Sequence, residues 1–351
     1  MASLQLPSMS TLKSSSSPLP SSYNSSRRLA LIQLGAIIPQ SQIFGENFIQ
    51  LAKADGGATR TPTRVDPSLP TSSSEEETLL DWTKKDERRM LHVVYRVGDL
   101  EKTIKFYREC LGMKLLRQRD IPEEKYSNAF LGYGPEESNL AIELTYNYGV
   151  DKYDIGSGFG YFGIGVQNVA ETVALIKTKG GKVIQDPGLV TGGSSKAALV
   201  EDPTGYKFML LEKMPTPEPL CKMMLRVGDL DRSINFYRKA YGMDLLRRRK
   251  YPEDRSEIAV MGYGPEDKTA VLELTYTYGI KEYDKGNGYG QIAIGTDDVY
   301  KTASAVKFYG GEIILEPGPL PIINTKITAC LDPDGWKSVF VDNVDFQKEL
   351  A

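Results

Sequence analysis

The sequence predicts an α+β protein built from two tandem copies of one domain, each copy holding two βαβββ units. Three observations predict it. The first is an internal repeat. Shifted by 130 residues, the second half of the 351-residue chain falls on the first without a gap. Arg96-Val-Gly-Asp-Leu100 returns as Arg226-Val-Gly-Asp-Leu230, and Gly132-Tyr-Gly-Pro-Glu136 as Gly262-Tyr-Gly-Pro-Glu266. Glu143-Leu-Thr-Tyr146 returns as Glu273-Leu-Thr-Tyr276. A register kept this long marks a duplicated domain. The second observation is pattern: within each copy, alternating strand-like runs are interrupted by amphipathic helical ones. The third is composition. With 40% hydrophobic and 25% charged residues, two domains can each bury a core.

Each element follows from local signals. Leu91–Val97 alternates and reads as a strand. Asp99 is placed to cap a helix whose apolar face is Ile104, Tyr107 and Leu111, and Gly112 ends it. Strand-like runs follow at Lys114–Arg119, Asn128–Leu131 and Leu140–Tyr146. The order then restarts. Phe162–Val166 is a strand, Val169–Lys179 a helix closed by Gly180-Gly181, and Lys196–Val200 and Tyr206–Glu212 are strands. The expected domains span residues 88–214 and 218–345.

The N-terminal stretch is of another kind. It is rich in serine (Ser14–Ser17, Ser21, Ser22, Ser25, Ser26), carries Lys13, Arg27 and Arg28, and has no acidic residue before Glu46. That composition reads as an organelle transit peptide, expected over residues 1–55 and directed to the chloroplast stroma. Residues 56–87 read as a polar, disordered linker.

Charge and composition exclude several classes. A net charge of −3 argues against a nucleic-acid partner, and no apolar run is long enough to span a bilayer as a helix. Cys110, Cys221 and Cys330 lack pairing or metal-site spacing and read as reduced, buried thiols. The single histidine, His92, excludes any site needing two. Gly158-Phe-Gly-Tyr-Phe-Gly163 precedes a strand instead of opening a helix, so it is not a dinucleotide fingerprint.

Leu91-His-Val-Val-Tyr-Arg-Val-Gly-Asp-Leu100, Ile142-Glu-Leu-Thr-Tyr-Asn-Tyr-Gly149 and Lys326-Ile-Thr-Ala-Cys-Leu-Asp-Pro-Asp-Gly-Trp336 resemble the glyoxalase I (lactoylglutathione lyase) family, in its fused two-domain plant form. The resemblance covers residues 88–350. It implies the vicinal-oxygen-chelate fold, and a monomer whose two domains stand in pseudo-dimeric relation. It implies isomerisation of the methylglyoxal–glutathione hemithioacetal, with zinc or nickel polarising the substrate oxygens and a metal-bound Glu moving the proton.

The resemblance also implies where the ligands belong. Each of two sites takes two residues from the first unit of one domain and two from the second unit of the other. The competent site of the family maps onto Lys222, Glu273, Tyr161 and Met209, of which only Glu273 is the expected type. A charged lysine has no lone pair for a metal, and Tyr and Met suit zinc or nickel poorly. The other site maps onto His92, Glu143, Gln291 and Val339, with three usable ligands. The base positions are Met209 and Val339, so neither site keeps its proton carrier. Arg96 and Asn147 map onto contacts for the glutathione carboxylate, as does Arg226; Thr277 stands where the first copy has Asn147. Weak metal binding at His92, or none, is expected, and His92 also reads as a hydrogen-bonded strand residue with no metal. Lys222 suggests a replacement cation that pairs with Glu273. Two functions are expected side by side: a weak or inactive lyase, and a metal-free binding protein for a small-molecule thiol conjugate or a protein partner.

Overall fold

The computed structural model describes residues 72–190, 195–320 and 324–351. The segment expected as a transit peptide lies outside the described residues. A helix, α1 (Ser72–Lys85), precedes the first unit of β1 (Met90–Arg96), α2 (Leu100–Glu109), β2 (Lys114–Ile121), β3 (Tyr126–Gly132) and β4 (Ala141–Asn147). The second unit is β5 (Phe159–Val166), α3 (Val169–Thr178), β6 (Lys182–Leu189), β7 (Lys196–Glu201) and β8 (Lys207–Glu212). The third is β9 (Leu220–Arg226), α4 (Leu230–Lys239), β10 (Asp244–Tyr251), β11 (Ser256–Gly262) and β12 (Val271–Thr277). The fourth is β13 (Tyr289–Thr296), α5 (Val299–Phe308), β14 (Glu312–Pro319), β15 (Lys326–Leu331) and β16 (Lys337–Asp342). A last helix, α6 (Asn343–Leu350), follows.

The units pair across the repeats. One eight-stranded sheet runs β14-β15-β16-β13-β1-β4-β3-β2, joining the first unit to the fourth. The other runs β10-β11-β12-β9-β5-β8-β7-β6, joining the third to the second. The seams are the antiparallel pairs β1–β13 and β5–β9. Strand alternation then sorts the side chains. Val93, Tyr95 and Val97, with Ile142 and Leu144, enter a core shared by both sheets and by α2 and α4. His92 and Glu143 fall on the opposite face.

The helix caps act as the sequence predicts. The Asp99 side chain accepts from Lys102 N–H at 2.9 Å, and Asp229 from Arg232 N–H at 3.0 Å. Gly112, at φ +74°, takes the left-handed turn after α2.

Two elements differ from expectation. The stretch expected as a linker over residues 56–87 holds α1, which docks on the second domain. Thr83 Oγ1 donates to Lys239 O at 3.0 Å, and the buried Arg88 Nη1 to Ala240 O at 2.8 Å. Its polar sequence gains helical stability from that contact, not from an apolar face of its own. Strand β6 has no clear sequence signal because Pro187-Gly188 interrupts it; it is a sheet edge, where proline is tolerated.

Candidate functional site

The sheet registers assemble both expected quartets. In the first sheet Val94 of β1 lies between Glu143 of β4 and Gln291 of β13. His92 is two residues along β1, and Val339 of β16 pairs with Ala293. In the second sheet Met224 of β9 lies between Glu273 and Tyr161, with Lys222 two residues along and Met209 of β8 opposite Gly163. The two frames are alike; the side chains are not.

In the second frame Lys222 Nζ lies 2.6 Å from Glu273 Oε2, and the Tyr161 hydroxyl donates to Glu273 Oε1 at 2.5 Å. Lys222 is 12% and Glu273 4% exposed at the side chain. Burial and the neighbouring Glu273 carboxylate push the Tyr161 phenol well above its usual range, so it stays a donor. Both carboxylate oxygens are therefore engaged by this chain's own groups, and the set does not fit a divalent metal. Met209 does not close the space. A cavity of about 500 Å³ remains, with Arg247, Arg249 and Tyr251 among its walls. Arg247 forms a two-pronged pair with Glu266 at 3.0 Å on each side.

The first frame is sealed. His92, Glu143 and Gln291 are buried, and α6 lies over them. Phe346 sits 6.4 Å from the His92 ring, and Phe130 meets that ring edge-on at 5.5 Å. Phe346 packs with Leu91, Ala293 and Val339. Lys326 holds the helix down, its Nζ 2.8 Å from Asp342 Oδ2 and 2.6 Å from Asp345 Oδ2. His92 Nε2 and Glu143 Oε2 are 3.5 Å apart. Among the described residues neither ring nitrogen of His92 has a hydrogen-bond partner, nor has Glu143 Oε2. The reading of His92 as a hydrogen-bonded strand residue is thereby corrected: Glu143 Oε2 of β4, at 3.5 Å, stands beyond hydrogen-bonding distance of its ring. Burial, then the Arg117 and Arg89 charges, lower its pKa to about 3, so the imidazole is neutral with a lone pair available. Burial pushes the Glu143 carboxyl up to about 7, against the pull of the Asn128 hydrogen bond and of Arg117 and Arg119. A 3.5 Å gap is too long for a hydrogen bond. It is close to the separation of about 3.4 Å between two ligands each about 2.1 Å from one tetrahedral ion. His92 and Glu143 thus stand at a separation that fits a shared divalent cation; Gln291 pairs with the same Val94 that neighbours Glu143, and Val339 offers the ion nothing.

The residues expected to contact glutathione lie at the strand ends. Arg96 Nη1 donates to Asn287 O at 2.9 Å, and Arg226 Nη1 to Ser157 O at 2.8 Å. Asn147 Nδ2 donates to the Tyr153 hydroxyl at 2.8 Å, whereas at Thr277 the backbone N–H meets the Tyr283 hydroxyl at 3.3 Å. Two residues of the first frame escaped sequence reasoning. Asn128 donates to Glu143 and has Ile258 as its counterpart, a difference the repeat comparison could have exposed. Phe346 lies beyond the repeat and has no counterpart.

Tandem βαβββ units that pair across two domains into two eight-stranded sheets define a glyoxalase-class protein. The Glyoxalase/Bleomycin resistance protein/Dioxygenase superfamily matches residues 89–210 and 221–340. Within it, the chain belongs to the glyoxalase I family. It is 66% identical over 313 residues to a probable chloroplastic lactoylglutathione lyase of Arabidopsis thaliana, covering 89% of each chain. It is 61% identical over 279 residues to the lactoylglutathione lyase of Oryza sativa subsp. japonica, covering 78% of this chain and 96% of that one. The crystal structure of glyoxalase I from Zea mays superposes with a TM-score of 0.75 at 62% identity, over 77% of this chain and 98% of that one. The compartment in the Arabidopsis relative's name is the chloroplast expected from the N-terminal composition.

Proposed function

We propose that this chain is a stromal, monomeric glyoxalase I homologue whose lactoylglutathione lyase activity is weak or lost, and whose open cavity holds a small-molecule thiol conjugate without metal. The observation that carries this reading is the Lys222–Glu273–Tyr161 cluster, in which an ammonium and a phenol occupy both oxygens of Glu273. The relatives named as lactoylglutathione lyases support the lineage and the substrate class.

Lyase chemistry, so far as it persists, belongs to the sealed chamber. There His92, Glu143 and Gln291 would hold zinc or nickel, which supplies Lewis-acid polarisation of the substrate oxygens. Val339, at the base position, cannot carry the proton between carbons. Loss of a positioned base alone lowers turnover by roughly 10²–10⁴-fold.

The test is hemithioacetal isomerisation with added nickel or zinc, run beside the Oryza relative, together with calorimetric binding of S-hexylglutathione in chelator. Turnover roughly 10²-fold or more below the relative, with chelator-resistant binding, is expected. Turnover equal to the relative's, or no binding, overturns the proposal.

A further inference from the structure

We propose that Asn128 is a positioning residue for the divalent-cation site at His92, Glu143 and Gln291: it holds one oxygen of Glu143 so that the other faces His92. The inference rests on the reading of that chamber as a weak metal site, and goes beyond it by adding a residue outside the ligand set.

Asn128 lies on β3, paired with Arg119 of β2 and Thr145 of β4, and is fully buried. Its Nδ2 donates to Glu143 Oε1 at 2.9 Å. A carboxylate pinned by one oxygen cannot rotate freely. The remaining oxygen, Oε2, has no hydrogen-bond partner among the described residues and lies 3.5 Å from the equally unpartnered His92 Nε2. Buried polar atoms are ordinarily satisfied, and two left open beside each other need a physical reason. A cation shared between them supplies one. Asn128 thus stands to Glu143 as outer hydrogen-bonding groups stand to the ligands of known metal sites, where they fix orientation and sharpen affinity.

The second repeat provides an internal comparison. Ile258 occupies the position of Asn128 there and offers no hydrogen bond. In that frame Glu273 has turned both oxygens to other partners, Lys222 and Tyr161. Where the amide is present, one oxygen stays open; where it is absent, neither does. The pairing of Asn128 with an intact His/Glu couple, and of Ile258 with a dismantled one, is what a role in metal placement requires.

The experiment titrates metal-free full-length protein with cobalt(II), whose visible absorption bands report ligand geometry. Asn128→Ala is expected to weaken cobalt binding by roughly 10–100-fold and to change the band shape. Asn128→Ser, which keeps a donor, is expected to lose less and to retain the wild-type spectrum. Glu312→Gln, at an exposed position of β14, leaves the spectrum unchanged. Wild-type affinity and spectrum in Asn128→Ala would overturn the role of Asn128 while leaving the chamber a metal site. No cobalt bound by the wild type, or binding that survives His92→Ala, would remove both. Circular dichroism checks the fold; if Asn128→Ala does not fold, Asn128→Ser carries the test, and an affinity as low as that of His92→Ala in a folded Ser variant also counts against the proposal.

Discussion

The Lys222 ammonium stands 2.6 Å from Glu273 Oε2, across neighbouring parallel strands. The pair is largely out of water, so its attraction is offset by desolvation and its net worth is small. Breaking it is another matter. Lys222→Met alone leaves a buried carboxylate with only the Tyr161 hydroxyl, and is expected to destabilise the protein by about 3–5 kcal/mol. The double change Lys222→Met with Glu273→Leu is expected to fall close to wild type. Urea denaturation of the three proteins at neutral pH measures both. Equal losses in the single and double variants would show that the ion pair is not the relevant contact.

A second prediction concerns pH. The folded-state pKa of Glu143 is raised to about 7 from 4.5, chiefly by burial. A raised carboxyl pKa means that the folded state binds the proton more tightly than the unfolded chain. The associated stability is present below about pH 4.5 and is lost as pH rises through about 7. Glu143→Gln cannot ionise. Metal-free Glu143→Gln is therefore expected to gain on wild type between pH 5 and pH 8, by on the order of 3 kcal/mol at about 1.4 kcal/mol per pKa unit. His92 works the other way. Its pKa is lowered from 6.5 to about 3, so its contribution is present above pH 6.5 and is lost on acidification through about 3, in both proteins. Urea midpoints in chelator at the two pH values provide the check. A parallel pH dependence in wild type and Glu143→Gln would mean that Glu143 ionises freely.

Much of this site was legible in the sequence, for a definite reason. Duplication lets each residue be read against a partner 130 positions away, and strand alternation then assigns faces. So the two quartets and the Lys222–Glu273 pairing could be placed before any coordinates. What escaped is what the duplication does not cover. Helix α1 owes its structure to a docking surface on the second domain, not to its own Ser- and Glu-rich sequence. Helix α6 follows the last repeated strand, and nothing in Asn343–Leu350 indicates that Phe346 turns back over His92. Asn128 is not legible in the sequence because an amide among buried strand residues carries no ligand signature. Its meaning depends on which oxygen of Glu143 it holds.

The cover over His92 gives a third prediction. His92 is the chain's one histidine, so imidazole-directed chemistry reports on the chamber alone. It is 1% exposed beneath Phe346. Phe346→Ala removes a buried ring, at a cost of about 3–5 kcal/mol, and opens the face that α6 seals. Carbethoxylation of His92 by diethyl pyrocarbonate, followed by ultraviolet absorbance, is expected to be slow in wild type and faster in the variant. Val344→Ala, at an exposed α6 position, is expected to leave the rate unchanged. Equal rates in wild type and Phe346→Ala would show that reagent reaches His92 by another route.

The last prediction is restoration. The open cavity keeps its frame: Met224 still separates Glu273 from residue 161, and about 500 Å³ of space adjoins them. Lys222→Gln and Tyr161→His free both oxygens of Glu273 and add two ligands. Met209→Glu adds the fourth ligand and the missing proton carrier. Thr277→Asn adds an amide near the Arg226 end of β9, as Asn147 has beside Arg96. Lys222, Tyr161 and Met209 line the cavity, so the packing around these three has room to accept the changes. Done together they avoid the uncompensated buried charge that any one alone would leave. The fourfold variant is expected to take up one nickel or zinc per chain and to gain hemithioacetal isomerase activity by roughly 10²–10⁴-fold over wild type, the range a positioned base supplies. Metal analysis and the isomerase assay are read on the same preparation. Metal uptake without isomerisation would place the remaining defect in substrate recognition around Arg226. No metal uptake in a folded variant would mean that the strands of this cavity no longer hold the ligand positions, and would count against the assignment of these four residues as one degenerate site.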